Sequence, residues 1–321
     1  MIMTIRLAAI GLFFAASVAG GAAGAQNYPT RPIRLLASGV GGGGDFTARL
    51  IAPALTSRLG QQVVVDNRPG GLIPGEILSK APPDGHTLML VGIVIWLSPF
   101  MRDTMPFDPV RDFTPVTLAV TIPNVLVAHP AVGVKSVQGL ITLARRKPGV
   151  LNYATSGVGN SNHIAGELFK SMAGVNLVRV NYRGAALALN DVVGGRVELM
   201  FATANAANPH VSSGRLIGLG VTSARPSPLA PGLPAVAESG LPGYESASTL
   251  GVLARAGTPP AIVNLLNREI VQFLGAPETR ERFLKSGIEV AGSTAAEFAA
   301  VIRDDMARKG KLIRAAGIRM E

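Results

Sequence analysis

Apolar residues in this chain gather into short continuous runs, separated by longer stretches in which they recur every three or four positions. Ile33 to Ser38, Val63 to Val65 and Thr87 to Ile93 have strand length, while Phe46 to Arg58 and the shorter Glu76 to Lys80 carry helical spacing. A run that is apolar throughout predicts a strand covered on both faces. Strands alternating with helices then predict a parallel α/β sheet.

The proline-rich stretch 99–115 interrupts this pattern, and the extended runs Val116 to Val120 and Val125 to Ala128 read as a crossover. A second series follows: strand Leu151 to Ala154, helix Asn162 to Ala173, strand Leu177 to Val180, helix Ala185 to Val193, strand Arg196 to Phe201. Ser136 is placed to cap a helix over Val137 to Arg146, Thr258 one that runs to about Leu274, and Thr294 with Glu297 forms a capping box before the last helix. Pro226 to Gly243 reads as a long surface loop, and Ser246 to Leu253 as a second crossover that returns the chain to its first unit. The expected domains are therefore 28–123 with 248–321, and 124–247, after a leader of residues 1–25.

The leader is read from Arg6, the apolar run Leu7 to Val18 and the small residues ending in Ala23-Gly24-Ala25. This is the pattern of a secretory signal cleaved after Ala25, and its apolar run is shorter than the ~20 residues that span a bilayer. Export to the periplasm is expected. At 321 residues and 48% apolar content the chain has enough material for two folded cores. It has no cysteine, which excludes thiol catalysis, disulfides and cysteine metal sites.

The formal charge is 30 − 20 = +10, or +9 without Arg6. The basic residues are scattered except near the C-terminus, where Arg303, Arg308, Lys309, Lys311, Arg314 and Arg319 alternate with apolar positions as a solvated helix face. No nucleic-acid partner is expected; a general attraction for small anions is.

Two loops carry the candidate chemistry. The first, Ser38-Gly39-Val40-Gly41-Gly42-Gly43-Gly44-Asp45, joins a strand to a helix. Glycine lets a ligand approach the backbone, and the free N–H groups of a helix start favour an anion. The second, Thr155-Ser156-Gly157-Val158-Gly159-Asn160-Ser161-Asn162-His163, brings hydroxyls, amides and glycines to another helix start. Together they read as two halves of an anion site, with Ser161 alternatively a plain helix cap. Replacing Gly159 by a bulkier residue is expected to weaken binding and leave folding intact.

Gly39 to Gly44 also satisfies G-x-G-x-x-G, with Asp66 ending the next strand, as in a dinucleotide-binding oxidoreductase. Asp45 beside a pyrophosphate, and export away from nicotinamide cofactors, count against it. Gly159 to His163 lacks the second glycine of a nucleophile elbow, and no triad can be assembled, so no catalytic residue is assigned. His86, His129 and His210 stand singly, so neither a metal nor a cofactor is expected. Tyr182 and Arg183 follow a strand; Arg183 either grips a carboxylate or points to solvent.

Further motifs run through the mature chain: Tyr28-Pro29-x-Arg31-Pro32-Ile33-Arg34, Asn67-Arg68-Pro69-Gly70, Ala81-Pro82-Pro83-Asp84-Gly85, Phe107-Asp108-Pro109-x-Arg111-Asp112-Phe113, Pro148-Gly149-x-Leu151-Asn152-Tyr153-Ala154 and Ala256-Gly257-Thr258-Pro259. With Gly42-Gly43-Gly44-Asp45 these resemble the Bug family (Bordetella uptake gene), the exported solute-binding proteins of tripartite tricarboxylate transporters. The resemblance implies a two-domain periplasmic-binding-protein fold, type II-like, each domain a sheet flanked by helices, with the ligand cleft between. It implies a monomer that captures a small carboxylate (a di- or tricarboxylate, an aromatic acid or an acidic amino acid) between the two loops and delivers it to a membrane permease. A solute sensor or scaffold would look the same in sequence. Departures from the family pattern at Ser38-Gly39-Val40, at Ser248-Thr249-Leu250 and at Thr203, where an acidic or amide residue is often found, imply different pocket walls.

Overall fold

The computed structural model describes residues 28–37, 43–68 and 72–320. The expected leader, and Ser38, Gly39, Gly41 and Gly42 of the first loop, lie outside these residues. The described chain begins with β1 (Ile33–Ala37), α1 (Gly43–Leu59), β2 (Val63–Asn67), α2 (Ile73–Ser79), β3 (Thr87–Gly92) and α3 (Val94–Leu97). The long β4 (Phe113–Ala128) then leads to α4 (Val137–Arg146), β5 (Asn152–Thr155), α5 (Ser161–Ala173), β6 (Val178–Asn181), α6 (Ala185–Val193), β7 (Leu199–Thr203), α7 (Ala204–Ser212) and β8 (Ile217–Val221). β9 (Ala247–Arg255) returns the chain to α8 (Pro260–Gly275), α9 (Pro277–Lys285), β10 (Glu289–Val290) and α10 (Ala295–Ala315).

The strands follow the path β2-β1-β3-β9-β4-β7-β5-β6, with β8 and β10 also paired to β4. β1 is parallel to β2 and β3, and β5 is parallel to β6 and β7. The sheet is nonetheless mixed rather than wholly parallel, because β9 runs antiparallel to β3 and β4, and β4 antiparallel to β7 and β8. The physical reason is that β4 and β9 carry the chain out to the second half and back, so they must oppose each other.

The two extended runs expected over Val116 to Ala128 form one strand. β4 pairs with β9 as far as Pro123, and from Asn124 onward with β7 and β8. Proline has no N–H to give a ladder, so a change of partner at Pro123 loses no hydrogen bond. Three segments are tied together there. Asn124 N–H donates to Thr222 Oγ1 at 2.9 Å, Thr222 N–H to the Asn124 carbonyl at 2.8 Å, and Ser246 N–H to the Thr222 carbonyl at 2.8 Å.

The inner strands of each half are covered on both faces, which is why runs such as Val125 to Ala128 are apolar throughout, while the edge strands β2 and β6 are partly exposed. In the first half, Ile33, Leu35 and Leu88 pack with Leu55, Ile270 and Phe283 on one side, while Leu36 and Met89 pack with Trp96, Phe298 and Ile313 on the other. In the second half, Leu126, Tyr153 and Phe201 meet Leu140 and Phe169, and Val125, Val127 and Met200 meet Leu189 and Ala207. The terminal helix α10 thus contributes to the first half, as the second crossover implies.

Ser136 caps α4 by accepting from Gly139 N–H, and the Thr294–Glu297 capping box is formed at α10. Thr258 is not a cap. Its hydroxyl donates to the Arg255 carbonyl, and Pro259 holds the N-cap position of α8. Sequence pattern also passed over α7, whose Pro209 reads as a breaker, and α9, whose single large buried apolar residue is Phe283.

Candidate functional site

The carboxyl ends of β1 and β3 in one half face those of β5, β6 and β7 in the other, across a cavity of about 260 Å³. Four helices of nine residues or more begin at its wall: α1 with Gly43 and Gly44, α5 with Asn160 to Asn162, α6 with Ala185, and α7 with Thr203 and Ala206. The first-turn N–H groups of a helix have no partner within it, and they carry the positive end of the helix dipole. Among the described lining residues no side chain is ionisable. The segment Ser38 to Gly42 contains no ionisable residue either. An uncharged cavity with converging helix starts favours an anion.

Space is tight where the start of α1 meets β4 of the same half. A Cβ on Gly43 would lie 2.6 Å from Ile122 Cδ1 on β4, so a larger residue would push the start of α1 away from the crossover. The second loop is held by its own amides. Asn162 Nδ2 donates to Ser156 Oγ at 2.8 Å, Asn160 Nδ2 donates to the Ser156 carbonyl at 3.2 Å, and Ser156 N–H donates to Asn162 Oδ1 at 3.3 Å. The loop is shaped before any ligand arrives.

Behind the loop, buried His163, Glu167 and Tyr153 meet the exposed Arg179 and the half-buried Lys170. His163 Nδ1 accepts from Gly159 N–H at 3.0 Å, and its Nε2 lies 3.1 Å from the Arg179 guanidinium. Glu167 accepts from the Tyr153 hydroxyl and from Lys170 Nζ. Burial, reinforced by the Arg179 charge and only partly opposed by Glu167, lowers the His163 pKa to about 4. The imidazole is therefore neutral near pH 7 and acts as an acceptor for the loop backbone.

Of the residues expected at the site, Gly43, Gly44, Ser156, Asn160, Ser161 and Thr203 line the cavity. The other described ones stand behind or beside it. Asp45 is buried and accepts from Arg49 and Asn67, which makes it a brace for α1 rather than part of the wall. Thr155 is fully buried and donates to Asn181 Oδ1. Gly157, at φ +144°, and Gly159, at φ +76°, set the loop's path. Gly159 faces Met101 and Met320, its notional Cβ 2.9 Å from Met101 Cε, so a side chain there would disturb packing. This corrects the expectation that only binding would suffer.

His163 supports the loop through its ring, as described. Tyr182 donates its hydroxyl to Asp191, which also pairs with Arg196, so the phenol is held within its own half. Arg183 is exposed and absent from the cavity wall, which favours its outward alternative.

The wall also has residues that the loops do not predict: Val91, Ile93 and Val94 at the end of β3, Ile122 and Leu250 at the crossovers, and Leu189 and Met200 in the second half. The rule that ligands sit beyond the carboxyl ends of strands could have pointed to Val91 and Ile93. Leu189 and Met200 look like core in sequence. Asn124 is a different omission. It lies cross-strand from Thr203, fully buried, with neither amide atom hydrogen-bonded among the described residues. A polar residue inside the run Ile122 to Ala128 was its signal. A larger groove of about 660 Å³ meets only the starts of α1, at Gly43, and α7, at Asn205, and includes Lys285, so volume alone does not mark the anion site.

Residues 47–318 match the TctC family, described as the tripartite tricarboxylate transporter family receptor. A Pseudomonas sp. (strain P51) protein from the tcbD-tcbE intergenic region is 38% identical over 290 residues, covering 89% of this chain and 86% of its own length. Bordetella pertussis BugT is 32% identical over 328 residues, covering 100% of both. Among solved structures, an R. palustris protein with adipate superposes with a TM-score of 0.83 at 37% identity, covering 91% of this chain and 99% of its own. MatC from Rhodopseudomonas palustris with bound malate gives 0.79 at 26% identity, covering 89% and 100%.

Proposed function

This chain belongs to the receptors of the tripartite tricarboxylate transporter family, and from that premise we propose that it is a non-catalytic solute-binding protein that captures a small carboxylate in the cavity between its two half-sheets. The observation that carries the reading is the convergence of four helix starts on a wall without ionisable side chains. Relatives solved with adipate and with malate support the carboxylate class. The dinucleotide reading of Gly39 to Gly44 draws no support from the family or from these fold relatives.

The carboxylate is held by the N–H groups at Gly43 and Gly44 and by Ser156, Asn160, Ser161 and Thr203. Residues 28–123 with 248–321, and 124–247, act as two domains that close about the crossovers at Pro123–Asn124 and Ser246–Ser248. The mature protein starts after Ala25, works in the periplasm as a monomer, and passes its solute to the membrane components of the transporter.

A thermal-shift screen of the mature protein tests this reading. A ligand at 100 times its Kd should stabilise the protein by about 2.7 kcal/mol. Stabilisation by small carboxylates is expected; stabilisation by NAD and by no carboxylate would overturn the proposal.

A further inference from the structure

The end of the second half opposite the cavity is where β5 and β6 begin and where α4 and α5 stop. Two short segments, Arg145 to Leu151 and Ser171 to Val178, meet there. Gly149 N–H donates to the Asn176 carbonyl at 3.0 Å, Val178 N–H to the Leu151 carbonyl at 2.9 Å, and the Arg145 guanidinium to the Ala173 carbonyl at 2.8 Å. The two segments form one continuous surface.

The apolar part of this surface is open to water. Val150 is 58% exposed, Val178 40% and Met172 38%. A single exposed apolar side chain needs no explanation, whereas three on two bonded segments make a patch. None of the three lines the cavity.

The charged part is of one sign. Neither segment contains Asp or Glu, while Arg145, Arg146 and Lys147 follow one another and are all exposed. The C-terminal ends of α4 and α5 draw cations, but at about half a negative charge each they offset only about one of the three. Glu198, just before β7, is half-buried and accepts from Asn152 N–H and Nδ2, both at 2.9 Å, so it is engaged by β5. The second half as a whole carries 10 − 5 = +5.

Exposed hydrocarbon beside a run of cations suits the boundary between phospholipid headgroups and acyl chains. A folded protein partner would need acids at fixed places and would gather the apolar residues at the centre of the contact, whereas a fluid layer of anionic headgroups accepts this loose mixture. We propose that this end of the second half binds reversibly to the surface of anionic phospholipid bilayers. Such binding goes beyond solute capture and does not depend on which solute is held. It keeps the receptor beside the membrane that carries the transporter, with the cavity at the other end of the same strands. The attachment is weak. Each Lys or Arg near such a surface raises partitioning about fivefold at low salt, so three give about a hundredfold.

Co-sedimentation of the mature protein with vesicles tests this. Binding is expected to vesicles of phosphatidylglycerol with phosphatidylethanolamine, about tenfold or more weaker to phosphatidylcholine vesicles, and weaker by as much in about 1 M salt, where charges are screened beyond about 3 Å. Free glycerol phosphate should not release the protein, because it offers no surface to Val150 and Met172. Arg146→Glu with Lys147→Glu should lower vesicle binding by about twentyfold or more, and Val150→Ser by about two- to fivefold. All three side chains are exposed, so the melting temperature should not change. Arg303→Glu with Lys311→Glu makes the same change of net charge on the exposed face of α10 and should lower binding by about threefold at most.

Equal binding to phosphatidylcholine, release by glycerol phosphate, or a loss in the α10 variant as large as in the patch variant would overturn the proposal. So would the absence of vesicle binding by protein whose melting temperature shows it folded. Binding only to vesicles that also carry the transporter's membrane components would make the partner a protein, and would overturn it likewise. None of these outcomes touches the receptor reading, which thermal shift with carboxylates decides.

Discussion

Below pH 6.5 the His163 imidazole works against the fold. Its ordinary pKa is near 6.5, and burial beside Arg179, opposed only in part by Glu167, with Lys170 also nearby, brings it to about 4. Between those values the unfolded chain takes up a proton that the native chain refuses. Stability is therefore fully present above about pH 6.5 and falls as the pH drops toward about 4, by up to about 3 kcal/mol from this group. His163→Gln should be less stable than the parent at pH 7, and its urea midpoint should change less between pH 7 and 4.5. Parallel pH dependence in the two proteins would show that His163 does not titrate in this way. Gly159 belongs to the same loop. Gly159→Ala meets both the positive φ and Met101, and should lower stability by about 1–3 kcal/mol together with ligand affinity. A variant with native stability and weak binding would put Gly159 at the ligand instead.

Helices reach the site because their ends are fixed by local chemistry and their faces by packing. Thr294→Ala removes the Oγ1 acceptor for Glu297 N–H, while the bond from the 294 backbone N–H to Glu297 can persist, and should cost about 1 kcal/mol, read as a lowered denaturant midpoint with an unchanged slope. Phe298, at the start of the same helix, rests on β9. A Cβ on Gly251 would come within 2.1 Å of Phe298 Cζ, so Gly251→Ala should destabilise by about 1–3 kcal/mol. Shortening the ring partner should recover part of that loss. Gly251→Ala combined with Phe298→Leu is expected to lose less than the sum of the two single changes. Additivity would mean that glycine is present at 251 for a reason other than the ring.

At the scale of the whole molecule, the cavity wall comes from both halves of the sheet, so the proposed closure would couple binding to the approach of the halves. The halves also touch away from it. Ser227 Oγ donates to Glu289 Oε1 at 2.9 Å, and Gly287 approaches Asn205 so closely that a Cβ would lie 2.4 Å from the Asn205 Cβ. Asn205 is exposed, so Asn205→Trp should be tolerated by the fold and act as a wedge against closure. Ligand affinity is expected to fall at least tenfold with the melting temperature of the ligand-free protein unchanged. The radius of gyration should no longer decrease on adding ligand. Unchanged affinity would show that this approach is not part of the closed state.

The sequence by itself determined the inner strands, because burial on both faces leaves an uninterrupted apolar run such as Val125 to Ala128 whatever the topology. It also determined the ends of helices where a side chain satisfies the backbone within a few residues, as at Ser136 and Thr294, and the loops that open α1 and α5. Only the tertiary structure decided which residues of those loops reach the cavity. His163, Thr155 and Asp45 are polar and adjacent to the wall in sequence, but each is used up by a partner brought in from elsewhere: Arg179, Asn181 and Asn67. The reverse holds for Leu189, Met200 and Ile122, which have the composition of core and line the site only because β4 changes partners at Pro123 and turns two sheet edges toward each other. Local hydrogen bonding and burial are written in short windows of sequence. The meeting of two strand edges depends on contacts more than a hundred residues apart, and no short window holds that information.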